Sequence, residues 1–237
     1  MNRYHYVLKI YLLEQIDNVM FWVCIIGPIF FALLEVYALP HAIRSLNEIF
    51  SYHIDVFHYA GAFDSFIAIF TAMNVGYAGV LVMLDERDTG IAPYLCITPL
   101  GIRGYIITRI GIPVLCSIVF IFILIGLFNL SNPELLSLVV YALCAGAFGM
   151  NAALIVFTFA KNRIEGIAMT KIVNIFIFAL PAGVLLSGYV SLPFLWIPTF
   201  WIGRYAMSLQ LSDAAMSLLC SCLWTMVLSR RLHTFNS

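Results

Sequence analysis

Residues 60–111 read AGAFDSFIAIFTAMNVGYAGVLVMLDERDTGIAPYLCITPLGIRGYIITRIG, an apolar run that breaks at Asp85 into the most polar long stretch of the chain. A helix rises about 1.5 Å per residue, so about 20 apolar residues cross the roughly 30 Å hydrocarbon layer of a bilayer. Residues 60–84 are therefore a membrane span, and the residues after them emerge from it. Working outward, similar runs occur near residues 19–39, 110–130, 135–160, 172–190 and 206–228, which makes six spans. The composition agrees: 63% of the 237 residues are hydrophobic and 10% are charged, with a mean hydropathy of +1.00, the profile of an all-α integral membrane protein. The spans are evenly spaced and no linker or low-complexity segment separates them, so residues 1–237 read as one transmembrane domain. Residues 1–18 are not expected to be a signal peptide, because Glu14 and Asp17 precede the first apolar run.

The twelve Lys and Arg residues are distributed unevenly. Arg3, Lys9, Arg87, Arg103, Arg109, Lys161, Arg163, Lys171, Arg230 and Arg231 fall on one side of the six spans, and only Arg44 and Arg204 on the other. The basic side is expected to be cytoplasmic, which places both termini and the polar stretch after Asp85 inside a cell membrane. The segment from Pro40 to Tyr59, with Phe50, Tyr52, Phe57 and Tyr59, is expected on the outside, lying at the membrane interface.

Several function classes are disfavoured. His5, His41, His53, His58 and His233 lie outside the spans or at their edges, so no catalytic dyad or helical metal pair can be drawn at membrane depth. Cys24, Cys96, Cys116, Cys144, Cys220 and Cys222 read as free packing thiols; Cys220 and Cys222 are two apart on a helix and face different ways. A P-loop needs a Gly-rich turn followed by Lys and Ser or Thr, and no lysine here has that context, so no ATPase site and no cofactor are expected in this chain. The formal net charge of zero gives no reason to expect a nucleic-acid partner.

The polar stretch has a shape of its own. Asp85, Glu86, Arg87 and Asp88 close the second span with mixed charge, and Thr89 and Gly90 are cap or turn residues. Pro93 suits a first helical turn, and Thr98 before Pro99 is pushed out of the helical region. Between them a helix of about two turns, roughly 10 Å long, is expected to carry Tyr94, Leu95 and Ile97. A short helix with exposed apolar residues and a charged rim either docks into a groove on another protein or lies on lipid headgroups.

The series Glu86, Arg87, Asp88, Gly90, Leu95, Thr98, Pro99, Leu100 and Tyr105 ahead of Arg109 resembles the loop between the second and third spans of type-2 ABC exporter permeases. The N-terminal pattern of Tyr4, Val7, Leu8, Tyr11, Leu12 and Gln15 is similar to that family's amphipathic connecting helix. The ending LLSGYVSLP of span five, followed by WIPTFWIGRYAMSL, resembles its fifth span, short extracellular re-entrant helices and return. The resemblance implies a six-span permease subunit, paired with a second permease subunit and with cytosolic ATP-binding subunits that use ATP and Mg. It also implies that the loop from Glu86 to Pro99, including Pro93, Tyr94, Leu95 and Thr98, is a coupling helix transmitting ATPase closure to the spans.

Two further sets of residues bear on a transport path. Ala179, Gly183 and Ser187 form a small-residue face on span five that Pro181 interrupts, and this face suits either a close-packed centre of a two-subunit pore or ordinary packing within one subunit. Ala145, Gly149 and Ala153 form a similar face on span four. Asn74, Asn151 and Asn174 either line the path or bond between helices, and Glu35, Asp64 and Asp213 form either an acidic outer vestibule or a layer paired with Arg44 and Arg204. The expected function is ATP-driven export of a hydrophobic, amphipathic or peptide substrate. The alternatives are an ABC permease for another cargo, such as haem or a lipid-linked sugar, an ATP-independent channel or secondary carrier, and a membrane scaffold or immunity protein without transport.

Overall fold

The computed structural model describes residues 19–50, 57–96 and 101–234. The expected amphipathic helix at 1–18 lies outside the described residues, as do Ile97, Thr98 and Pro99. Among the described residues every regular element is helical, and six helices are long and apolar enough to cross a membrane: Trp22–Ile49, Phe57–Asp88, Gly104–Leu127, Leu135–Phe159, Arg163–Leu185 and Leu211–Arg230. The six expected spans are present, and the protein is a multi-pass membrane protein.

The second and fourth spans form the centre. Their most apolar segments are 83% and 72% buried, whereas those of the other four spans range from 22% to 39% and present apolar side chains outward, toward lipid. The centre is tight because small residues meet there. A Cβ placed on Gly149 would stand 2.7 Å from the Ala72 carbonyl, and one on Gly76 would stand 2.9 Å from the Gly149 carbonyl, so only glycine permits this backbone approach. The small-residue face of span four, Ala145, Gly149 and Ala153, is fully buried in the subunit's own core.

Several boundaries differ from expectation. The first span does not stop at residue 39 but continues as helix to Phe50 through Pro40, so much of the expected interfacial segment is helical. The fifth span begins at Arg163 rather than near 172, because Asn162 caps it: the Asn162 side chain accepts from the Glu165 amide at 2.8 Å, and the Glu165 carboxylate accepts from the Lys161 amide at 2.9 Å. The fourth-to-fifth connection thus shrinks to a few residues, and Lys171 sits inside the helix. The sixth span begins at Leu211, not 206, because the chain forms a separate helix Pro198–Ser208 that ends in a left-handed residue, Leu209 (φ 53°).

Two spans contain a π turn: Leu34–Ala38 in the first and Ile107–Gly111 in the third. Each lies just before an interior proline, Pro40 and Pro113. Proline has no N–H to give the carbonyl four residues back and its ring crowds that carbonyl, so the ladder shifts to five-residue spacing, as in the bonds from the Leu39 amide to the Leu34 carbonyl and from the Ile112 amide to the Ile107 carbonyl.

Candidate functional site

The last turn of the second span spreads four consecutive charged side chains around the helix, and each fastens a neighbouring span. Asp85 pairs with the Arg163 guanidinium at 3.1 Å. Glu86 accepts from the Tyr105 hydroxyl at 2.8 Å and forms a bidentate ion pair with Arg109 on the third span. Arg87 donates to the Ala160 carbonyl at 3.1 Å, closing the C-terminus of the fourth span, and lies 4.6 Å above the Phe157 ring. Asp88 accepts from the Arg163 amide at 2.9 Å, placing a carboxylate at the N-terminus of the fifth span, where the helix dipole favours it. The third, fourth and fifth spans are thus all tied to one turn.

These ties differ in burial. The Glu86 and Arg109 side chains are 13% and 9% exposed, whereas those of Asp85 and Arg163 are 51% and 37% exposed. Glu86, expected on the rim of a docking surface, is in fact an internal strut. Arg109 is missed as a site partner when the sequence is read for loops, because it lies one turn into the third span and reaches back only through the π turn.

After Asp88 the chain turns through a Schellman motif. The Ile91 amide donates to the Glu86 carbonyl at 2.9 Å and the Gly90 amide to the Arg87 carbonyl at 3.1 Å, with Gly90 at φ 72°, the left-handed geometry that favours glycine. A short helix follows, described over Ala92–Cys96, with Pro93 in its first turn. Its faces are assigned differently from expectation. Leu95 and Ala92 pack against the protein's own core, while Tyr94 is 71% exposed and Ile91 48% exposed. Among the described residues, the outward apolar side chains of this loop are Ile91 and Tyr94.

The residues proposed for a transport path do not converge. Asn74 donates to the carbonyl of Phe70 in its own helix at 2.8 Å. Asn174 accepts from the Tyr77 hydroxyl at 3.0 Å and ties the second span to the fifth. Asn151 bridges the fourth and sixth spans through the Ser221 carbonyl and the Thr225 hydroxyl. Ala179 and Gly183 are buried against the protein's own helix Pro198–Ser208: a Cβ on Gly183 would stand 2.1 Å from the Phe200 carbonyl, and one on Gly203 would stand 2.3 Å from the Leu180 carbonyl. Pro181 and Ser187 point outward.

The helix Pro198–Ser208 is held at depth. Thr199 donates to the Phe176 carbonyl at 2.6 Å, Ser217 donates to the Pro198 carbonyl at 3.1 Å, and Trp224 on the sixth span donates to the Trp196 carbonyl at 3.0 Å. The chain therefore leaves the fifth span at Leu185, comes back beside Phe176 at Thr199 and continues as helix to Ser208. Of the three acidic residues at this end, Asp213 stands apart, pairing with Arg204 at 3.8 Å and accepting from Ser208, whereas Asp64 and Glu35 meet: Asp64 accepts from the backbone amides of Leu130 and Ser131 and from the Ser131 hydroxyl, and the buried Glu35 carboxyl is hydrogen-bonded with it.

The profile of a family described as Rv2686c-like fluoroquinolones export permease proteins matches residues 14–232. Two curated relatives from Mycobacterium tuberculosis are each 22% identical to this chain over 149 residues: the fluoroquinolones export permease protein Rv2686c of strain ATCC 25618 / H37Rv and the fluoroquinolones export permease protein MT2760 of strain CDC 1551 / Oshkosh. The match takes in 62% of this chain and 59% of each relative, so the chain spans about three fifths of the length of the curated relatives it matches. No solved structure matches it. With a family match running from just before the first span to the end of the sixth, the chain belongs to the Rv2686c-like fluoroquinolones export permease family.

Proposed function

We propose that this chain is the permease subunit of an ATP-driven exporter in the cell membrane, with both termini and the loop between the second and third spans on the cytoplasmic side. A separate ATP-binding subunit uses ATP and Mg, and a second permease subunit, identical or related, completes the path. The single observation that carries this reading is the turn Asp85–Asp88, whose four charges hold the third, fourth and fifth spans while the loop immediately beyond it turns Ile91 and Tyr94 outward. A partner seated on Ile91 and Tyr94 pulls on one rigid turn and through it tilts three spans together. The relatives' names as fluoroquinolone export permeases support a small amphipathic cargo, and the excess of Lys and Arg on the loop side supports the orientation.

Tyr94→Asp is the test. The side chain is 71% exposed, so the fold tolerates the change, but a charge enters a contact expected to be dry, a change that costs several kcal/mol of binding, roughly 2–5 by the scale for buried interface charges. The variant should fold normally, lose co-purification with the ATP-binding subunit and lose ATP-dependent export. Wild-type coupling in this variant would overturn the docking assignment, since a loop that only lies on lipid headgroups does not need an apolar contact with a partner.

A further inference from the structure

At the end of the bundle opposite the Asp85–Asp88 turn, Glu35 on the first span and Asp64 on the second are hydrogen-bonded carboxyl to carboxyl. Such a bond needs a proton, because an ionised carboxylate only accepts. The surroundings place that proton. Asp64 is met by three donors, the backbone amides of Leu130 and Ser131 at 2.9 and 3.0 Å and the Ser131 hydroxyl, which is the setting of a carboxylate. Glu35 is only 8% exposed, and its Oε1 has no hydrogen-bond partner among the described residues. That is the setting of a neutral acid, since a charge buried without a donor is far more costly than an uncharged group.

The elements packed around the pair bring no opposite charge. One turn away, Ala32, Ile67 and Leu124 of the third span form a small apolar cluster. The fourth span brings Tyr141 toward Asp64, and the helix Pro198–Ser208 brings Tyr205, whose ring meets that of Tyr141 at 5.5 Å. Among the described residues no Lys, Arg or His pairs with either acid. With the proton gone, two negative charges stand in contact in an apolar setting, where repulsion is little screened. The first span has little to hold it against that push. Its most apolar segment is 22% buried, the lowest share of the six spans. An apolar cleft of about 350 Å³, lined in part by Phe31, Leu34, Leu39, Ala42, Phe63 and Phe66, already separates it from the start of the second span.

We propose that Glu35 and Asp64 hold a single proton between them and that its loss is a switch: the paired carboxylates drive the first span away from the second and widen the cleft. Ser131, partly exposed on the connection between the third and fourth spans, supplies the hydroxyl through which the proton exchanges with the medium. The π turn Leu34–Ala38 fits this role, because it carries Glu35 and gives the helix a place to bend. The switch lies within this chain; that it sets the openness of an export path rests on the exporter reading.

The experiment uses the full chain alone in lipid nanodiscs, without any ATP-binding subunit, so its outcome is independent of coupling and export. Infrared spectroscopy across a pH titration reads the carbonyl stretch of a protonated carboxyl, and amide hydrogen exchange at each pH reads residues 34–49. Wild type should show a protonated-carboxyl band that Glu35→Gln lacks, and the band should vanish as the pH rises. Glu35→Gln, whose amide donates to Asp64 as the acid does, should stay closed throughout. At low pH the two proteins should exchange alike. Over the range in which the band fades, exchange of residues 34–49 in wild type should outrun that in Glu35→Gln by up to about tenfold per pH unit, the shift for one proton released on opening. The fourth span should exchange equally in both. Comparison at equal pH removes the intrinsic pH dependence of exchange. Absence of a band specific to Glu35 overturns the proposal. So does a band that persists to the highest pH at which the protein stays folded, because the proton is then a fixed part of the fold. A band that fades while exchange in the two proteins stays matched overturns it equally. Export that fails in cells while both nanodisc readouts hold counts against the exporter reading and not against the switch.

Discussion

The π turn Leu34–Ala38 in the first span and the π turn Ile107–Gly111 in the third share a construction: each ends two residues before a proline, and each carries one buried ionisable residue, Glu35 and Arg109, both 8% exposed. They differ in what meets that residue. Arg109 is met by both oxygens of Glu86, with Tyr105 completing the carboxylate. Glu35 meets a second carboxyl, Asp64 on the second span, with which it is hydrogen-bonded. The same backbone device therefore serves two ends: in the third span it closes an internal ion pair, and in the first it brings two acids together. Opposite charges in contact fasten the fold, whereas two acids in contact repel unless they share a proton.

The largest expected effect comes from breaking the fastened turn. Arg109→Leu leaves Glu86 buried and unpaired, which costs about 3–5 kcal/mol. The expected result is a large drop in the thermal unfolding midpoint of the purified protein. Glu86→Gln combined with Arg109→Leu removes both charges and should recover most of that loss, so the double-mutant cycle is strongly non-additive. Additive losses would mean that the pair does not act as a unit. A change to Glu86, which the sequence places on a charged rim, is expected to be severe, because the side chain is 13% exposed and paired.

Gly79→Ala is the next in size. A Cβ at this position would lie 2.2 Å from the Arg109 carbonyl and 2.9 Å from Pro113. The contact is specific to the π turn, because Pro113 has no N–H for that carbonyl and the shifted ladder directs it at the second span. The backbone must move, at about 1–3 kcal/mol by the scale for overpacking, and the movement should also loosen the Arg109–Glu86 pair. Reduced stability that depends on Glu86 is the expected outcome; a loss of the same size in a Glu86→Gln background would separate the glycine contact from the ion pair.

How much of this is legible in the sequence follows from the kind of signal each feature leaves. Six spans are visible because an unbroken run of about 20 apolar residues has the length of one bilayer crossing. Gly90 and the cluster Asp85–Asp88 are visible because a mixed-charge turn followed by glycine is a local pattern. The partners of that cluster are not: Arg109 lies 23 residues from Glu86 and Arg163 lies 78 from Asp85, and only the packing of spans three to five around span two brings them together. The inward face of Leu95 and the outward face of Tyr94 depend on a helix too short for periodicity to orient. The small-residue face of span five signals a close approach, but spacing alone does not distinguish the helix Pro198–Ser208, which Gly183 meets here, from a second subunit. The π turns leave a readable trace after all: a charged residue four or five positions ahead of a proline inside an apolar run, as in LEVYALP and ITRIGIP.

The smallest expected effect on stability sharpens the comparison most. Glu35→Gln changes a residue as buried as Arg109, in the same kind of turn, and burial alone would rank the two substitutions together. Their partners rank them apart. No ion pair is broken at Glu35, and a glutamine amide can donate to the Asp64 carboxylate in place of the carboxyl, so the variant should melt within about 1 kcal/mol of wild type, since the one hydrogen bond at stake is worth about 1 kcal/mol net. The measurement is the unfolding midpoint in the same detergent as for Arg109→Leu. A loss approaching that of Arg109→Leu would mean that the Glu35–Asp64 contact fastens the fold as strongly as the Arg109–Glu86 ion pair, and the distinction between the two π turns would fail. A midpoint held at that of wild type would show that the two acids add little to the fold, so that burial without an opposite charge does not make a fastening.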